Sequence, residues 1–250
     1  MEQVKLENTT TFTLENAEVV YQIMVNYPSE FSENNKYPVY YLLDGEVSFP
    51  LAASINNIKQ QMSKKKFYQP MILVGITAIA PRALKQRFFD FTTLVELDKI
   101  PRQMRKMQLE KKQTGGIEPF IHFLETTVKT EIEKRFPIDI NNQTIIGHSL
   151  GGLCAAYILA NYRQIFQHYI IGSPSFWWND GEILAPFQNF PSGNETVKIL
   201  VGKQEPNFMK NGAINFFEYL KPKIKNLTYE VYQNCNHGEI IMECVRAIFD

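Results

Sequence analysis

Short apolar runs alternate with stretches that repeat apolar positions every three or four residues, and this alternation continues along the whole chain. Val4–Leu14 and Val19–Val25 alternate apolar and polar residues, predicting two strands in an antiparallel opening pair. After the loop Asn34-Asn35-Lys36, Pro38–Leu43 is apolar throughout, as a strand buried on both faces requires. Val47–Met62 reads as a helix and Pro70–Ile79 as another buried strand. Glu118–Phe136 places Phe120, Phe123, Leu124, Val128 and Ile132 at helical spacing and leads into the apolar run Thr144-Ile145-Ile146. Leu150, Leu153, Tyr157 and Ala160 then share a helical face. Tyr169–Ile171, Val197–Val201 and Thr228–Tyr232 predict further strands, and Ile240–Phe249 a closing helix. Strands alternating with helices, about eight of them, predict an α/β fold with a mostly parallel sheet covered on both faces. Without a linker or a repeat, residues 1–250 read as one domain.

The stretch Ala80–Gly116 fits this rhythm less well. From Lys99 onward it carries Lys99, Arg102, Arg105, Lys106, Lys111 and Lys112 against Glu110, and it closes on Gly115-Gly116. It is either a solvated helical face or loop, or a basic lid inserted beside the site to meet an anionic substrate.

Composition narrows the class. Over 250 residues, 44% hydrophobic and 21% charged content suits a globular protein with a sizeable core. A formal net charge of +0 gives no electrostatic footprint for nucleic acid or a membrane surface. The three cysteines, Cys154, Cys235 and Cys244, show no metal-ligand spacing, and an odd count argues against a disulfide framework. The N-terminus lacks a basic segment followed by an apolar one, and the longest apolar stretch, Pro70–Pro81, is too short to span a bilayer. The expected location is cytoplasmic.

The chemistry enters at Gly147-His148-Ser149-Leu150-Gly151-Gly152, between a predicted strand and a predicted helix. A serine becomes a nucleophile when it projects from the backbone, reaches a base and lies beside N–H donors for an oxyanion. A sharp strand-to-helix turn with small residues on either side presents it in that way. The base is sought among four histidines. His148 adjoins the serine and should point away from it, His122 lies within a helix, and His168 precedes a strand. His237, in Asn234-Cys235-Asn236-His237-Gly238 after the last strand, stands at the C-terminal edge of the sheet, where catalytic groups gather. Of the acids between Ser149 and His237, Glu205 follows the strand Val197–Val201 at that same edge. Asp180 competes with it, and a serine–histidine pair with no essential acid is the remaining alternative. The oxyanion donors are expected at the Leu150 backbone N–H and at Gly45 or Glu46, after the strand Pro38–Leu43.

These residues carry a resemblance. Tyr41-Leu42-Leu43-Asp44-Gly45, Arg87-Phe88-Phe89-Asp90-Phe91-Thr92, Gly147–Leu153, Ser173-Pro174-Ser175-Phe176-Trp177-Trp178, Val201–Glu205 and Asn236-His237-Gly238 occur in an order similar to that of an esterase family of α/β-hydrolases. That family includes trilactone-siderophore (enterobactin-type) esterases and esterase-D-like enzymes. The resemblance implies a serine esterase that needs no metal or cofactor, with Ser149 as nucleophile, His237 as base and Glu205 as acid. Its implied substrate is a small-molecule ester, a ferric catecholate siderophore among the candidates. It places Arg87 and Asp90 near the site. Arg87 would either anchor a carbonyl-rich or anionic substrate or pair with Asp90. Trp177 and Trp178 would either wall the acyl or catechol pocket or pack in the core. Glu46 departs from the polar neutral residue usual at its position, and its carboxylate must point away from an oxyanion. The alternatives to a siderophore esterase are a general short-acyl carboxylesterase, an acyltransferase, and a non-catalytic binding protein of the same fold.

Overall fold

The alternating opening segments pair as expected. β1 (Thr9–Asn16) and β2 (Val19–Asn26) form an antiparallel hairpin, and β2 pairs antiparallel with β4 (Ile72–Ala78). The computed structural model describes residues 5–32, 34–62, 68–79 and 83–250. Val4 and residues 80–82, the first part of the basic stretch, therefore lie outside the described residues.

From β4 onward the sheet is parallel. β3 (Tyr37–Leu42), β5 (Ile138–His148), β6 (His168–Gly172), β7 (Gly193–Gly202) and β8 (Ile224–Tyr232) complete eight strands in the order β1-β2-β4-β3-β5-β6-β7-β8. The two-residue pleat divides neighbouring side chains between two cores. Val39, Tyr41, Val74, Ile145, Ile171 and Ile199 enter the larger core, on the face that also buries Phe120, Leu153 and Phe216. Leu42, Leu73, Ile146, Ile170 and Leu200 face a smaller core with Phe49, Ile240 and Val245. Both faces are thus covered, which is why β3 is apolar throughout and β4 is so except at the half-buried Thr77. This is the α/β-hydrolase architecture that the sequence predicts.

Helices occupy the connections. They are α1 (Gly45–Met62), α2 (Ala83–Asp90), α3 (Ile117–Phe123), α4 (Lys129–Arg135), α5 (Leu150–Asn161), α6 (Ala185–Gln188), α7 (Asn207–Leu220) and α8 (Ile240–Arg246). The helix expected over 118–136 is α3 and α4 joined through a π turn at Leu124–Val128, where Leu124 and Val128 are both buried. The predicted strand at 197–201 extends back to Gly193, and that at 228–232 to Ile224. Their early residues include Asn, Glu and Lys side chains partly or fully exposed. In β7 the apolar pattern marks the buried end of the strand, whereas in β8 Thr228–Tyr232 is itself half-buried or exposed and the buried residue is Ile224.

The basic stretch folds as α2 followed by 3-10 turns at Leu97–Lys99, Arg102–Met107 and Lys111–Gln113. Phe91, Val95 and Ile100 are buried, and Thr114 Oγ1 accepts from the Val95 N–H. At the end of α2, Asp90 is 4% exposed and accepts hydrogen bonds from Tyr21 Oη and Gln86 Nε2, both at 2.8 Å. Burial outweighs both bonds and pushes its carboxyl up to about 6. The folded protein therefore binds the Asp90 proton more tightly than the unfolded chain, so this group costs stability as pH rises from about 4 to about 6. Denaturant unfolding of the parent and Asp90→Asn at pH 4.5 and pH 7 should show the variant gaining about 2 kcal/mol on the parent between the two. A difference that stays constant across those pH values contradicts this assignment.

Candidate active site

Three strands of the parallel core end at one edge, and each leaves the sheet through a non-glycine residue at positive φ. These are Asp44 after β3 (φ 51°), Ser149 after β5 (φ 59°) and Ser173 after β6 (φ 41°). Such conformations cost free energy and persist where the surroundings impose them. At Ser149 the surroundings do so through hydrogen bonds. Its N–H donates to the Gly172 carbonyl at 2.9 Å, while its own carbonyl accepts from the Leu153 and Ser175 N–H groups, each at 3.0 Å. The turn is tight enough that a Cβ on Gly147 would lie 2.1 Å from the Gly151 carbonyl oxygen. A Cβ on Gly152 would lie 2.8 Å from the Gly172 carbonyl oxygen, so Gly147 and Gly152 together allow β5 and α5 to meet at this angle.

The serine side chain meets the predicted partners. His237 Nε2 is 2.9 Å from Ser149 Oγ, and His237 Nδ1 is 3.0 Å from Glu205 Oε2. Glu205 lies in the turn after β7 and is 4% exposed. Its other oxygen, Oε1, accepts from the Gly202 N–H at 2.6 Å and from Ser173 Oγ at 2.5 Å. Burial alone would raise this carboxyl, but the bonds from His237, Ser173 and Gly202 outweigh it and hold it below the usual value. A carboxylate on Nδ1 keeps that nitrogen protonated and leaves Nε2 to face the serine as an acceptor. Asp180, the competing acid, is exposed in a kinked segment before α6, and Glu205 occupies the imidazole partner position.

Two residues that the sequence does not single out complete the arrangement. His148, expected to point away from the serine, reaches His237. Its Nε2 lies 2.7 Å from the His237 backbone carbonyl, and the two rings are 4.8 Å apart. Burial and the neighbouring His237 push His148 down to about 4, so near neutral pH it is uncharged and donates to that carbonyl. Ser175 Oγ lies 3.3 Å from Ser149 Oγ. With Ser173 on Glu205, both serines of Ser-Pro-Ser contact the relay. The signal in that element lay in its serines rather than its tryptophans.

Leu150 begins α5 and Gly45 begins α1, so the Leu150, Gly45 and Glu46 N–H groups have no intrahelical acceptor. A Cβ on Gly45 would come within 2.6 Å of the Ile76 backbone nitrogen, so only glycine fits where this loop crosses β4. The Glu46 side chain is exposed.

Arg87 corrects one expectation. It pairs with Asp44 and not with Asp90: Nε and Nη2 donate to Asp44 Oδ1 and Oδ2 at 2.7 and 2.8 Å. Both Asp90 oxygens are already engaged by Tyr21 and Gln86, whereas Asp44 offers a free carboxylate that matches the guanidinium fork. The pair clamps the residue immediately before Gly45. The tryptophans are corrected too. Trp177 is 6% and Trp178 1% exposed, both belong to the larger core, and Trp178 Nε1 donates to Thr93 Oγ1 at 3.2 Å. A large aromatic ring gains more from full burial than from a wet pocket wall, so the packing alternative describes them.

Of the basic stretch, Lys99 pairs with Glu96, Lys112 pairs with Glu110, and Arg105 Nε donates to the Ile100 carbonyl. Lys106 lines a cavity with His237. Among the described residues no group of three or more His, Cys, Asp or Glu side chains is placed to hold a metal ion, and no helix is long and apolar enough to cross a membrane.

Comparison with known proteins agrees with this geometry. A curated relative, the ferri-bacillibactin esterase BesA of Bacillus subtilis, is 36% identical over 190 residues, 74% of this chain and 65% of its own length. The siderophore triacetylfusarinine C esterase of Aspergillus fumigatus is 29% identical over 215 residues, 82% of this chain and 68% of its own. The chain thus spans about two thirds of the length of these two relatives. The crystal structure of the BES protein from Bacillus cereus superimposes with a TM-score of 0.83 at 29% identity, covering 100% of this chain and 97% of that one. The family model described as Putative esterase matches residues 16–239, and the chain belongs to that family.

Proposed function

We propose that the protein is a serine carboxylic-ester hydrolase working through an acyl-enzyme, and that its substrate is an ester-linked siderophore. The observation that carries the chemistry is the unbroken chain of contacts from Ser149 Oγ through His237 to Glu205. Ser149 Oγ attacks the ester carbonyl while His237 Nε2 takes its proton. The carbonyl oxygen becomes an oxyanion beside the N–H groups at the starts of α5 and α1, from Leu150 and from Gly45 or Glu46. The C–O bond to the alcohol breaks, and His237 returns the proton to the departing oxygen. Water then attacks the acyl-serine with His237 again as base, releasing the acid and restoring the hydroxyl. Glu205 holds the imidazole in the productive tautomer and stabilises its charged form. Arg87, through Asp44, positions the loop that carries the second oxyanion donor.

The substrate reading is supported by the relatives, two of which bear names that specify siderophore esters. Residues 1–250 read as one catalytic domain with 80–116 as its lid, of which the turn at Arg102–Met107 lines a cavity with His237. Hydrolysis that frees iron from an imported siderophore places the reaction in the cytoplasm.

Glu205→Gln tests the relay. The amide oxygen can keep the Ser173 and Gly202 donors, which turns the amide NH2 toward His237 and forces the opposite imidazole tautomer. kcat should fall by about 10²–10⁴-fold with little change in KM. Parent-like kcat in a folded variant contradicts an acid role. The substrate is tested by incubating the protein with an iron-loaded catecholate trilactone and following linear products by mass spectrometry. Cleavage to hydroxy-acid units is expected. An intact trilactone beside rapid p-nitrophenyl acetate hydrolysis would identify a general short-acyl carboxylesterase instead.

A further inference from the structure

A hydroxyl sealed from water destabilises a fold unless its proton finds an acceptor. Ser175 is 0% exposed, and among the described residues Ser149 Oγ, at 3.3 Å, is the one hydrogen-bond partner of its Oγ. The Ser149 proton is itself directed to His237 Nε2 at 2.9 Å, because Glu205 keeps the imidazole proton on Nδ1. Ser149 Oγ therefore retains a lone pair for the Ser175 O–H. The donors run in one direction, from Ser175 to Ser149 to His237.

The chain holds Ser175 against the nucleophile on several sides. Its N–H donates to the Ser149 carbonyl and its carbonyl accepts from the Trp178 N–H, both at 3.0 Å. Pro174 packs so closely on α5 that a Cβ on Gly152 would stand 3.2 Å from the Pro174 Cα. Phe176, Trp177 and Trp178 follow, all buried, so the segment has little room to withdraw.

We propose that Ser175 is a further catalytic residue, which donates a hydrogen bond to Ser149 Oγ as that oxygen leaves the acyl group and so speeds deacylation more than acylation. The proposal rests on the Ser149–His237 reading but not on the identity of the natural ester. A donor accelerates a step only as far as its bond strengthens on the way to the transition state. In the resting enzyme Ser149 Oγ is a hydroxyl oxygen that already accepts this bond, so attack on the ester gains little from it. In the acyl-enzyme Oγ is the alkoxy oxygen of an ester, a poorer acceptor because its lone pair is shared with the carbonyl. Water adds to that carbonyl while its proton passes to His237 Nε2. The intermediate then collapses: the C–Oγ bond breaks, its electron pair goes to Oγ, and His237 returns the proton there. Charge growing on Oγ shortens and strengthens the bond from Ser175, which keeps its own proton throughout. A separation of 3.3 Å at rest leaves room for that tightening.

Hydrolysis of p-nitrophenyl butyrate by the parent, Ser175→Ala and Ser175→Cys separates the two steps. Here kcat/KM reports acylation. The deacylation constant is kcat divided by the fraction of chains carrying butyryl on Ser149 at saturating substrate, read by intact mass after acid quench. Ser175→Ala should slow deacylation by about 10-fold and change kcat/KM by less than about 3-fold, because a hydrogen bond to a charged oxygen outweighs one to a neutral oxygen. Its butyryl fraction should exceed that of the parent. Ser175→Cys keeps a weaker S–H donor and should fall between the two. Equal butyryl fractions in the parent and Ser175→Ala, or a loss carried by kcat/KM alone, would show a merely structural serine and overturn the proposal. Failure of the folded parent to hydrolyse the ester would instead overturn the nucleophile assignment.

Discussion

The Glu205 carboxylate is the group on which the site converges. A charge that is 4% exposed is expensive to bury unless donors surround it. Here the donors come from three separate parts of the chain: Gly202 at the end of β7, Ser173 at the end of β6, and His237 in the loop after β8. Satisfying one buried carboxylate therefore draws these chain segments to a common point, and His237 is left facing Ser149. The charge that orients the His237 imidazole also ties the C-terminal edge of the sheet together. Removing its negative charge is accordingly expected to weaken catalysis through the imidazole tautomer before it disturbs the fold.

A second clamp works from the other side of the serine. The Arg87–Asp44 pair fixes the turn after β3, so that Gly45 and Glu46 present their N–H groups from the start of α1. Asp44, Ser149 and Ser173 all hold positive φ. Backbone strain thus recurs at three of the strand ends that form the site. His148 adds a third restraint, since its neutral ring donates to the backbone carbonyl of His237.

The strands were legible because burial on both faces demands runs of apolar residues, as in Tyr37–Leu42 and Ile72–Ile76. The convergence of Ser149, His237 and Glu205 was legible because they follow strand ends, where topology alone brings them to one edge. The partner of Arg87 was not. Arg-x-x-Asp suggests a pair on one helix, but which carboxylate a guanidinium reaches depends on tertiary packing, and Asp44 lies far away in sequence. The tryptophans misled for a related reason, because a rare aromatic motif marks a structural constraint as readily as a binding surface. Six basic residues between Lys99 and Lys112 read as one patch; in the fold, two pair with neighbouring glutamates, one turns to a backbone carbonyl, and Lys106 lines a cavity with His237.

The central claim is that the geometry around Ser149 makes this serine, and no other, a nucleophile. Its most direct test is intact-mass analysis of the parent protein and of Ser149→Ala after exposure to diisopropyl fluorophosphate. The account predicts one phosphoryl adduct per parent chain, located at Ser149 by peptide mapping, and none in the variant. A folded parent that takes up no adduct, or an adduct that persists in Ser149→Ala, would contradict it.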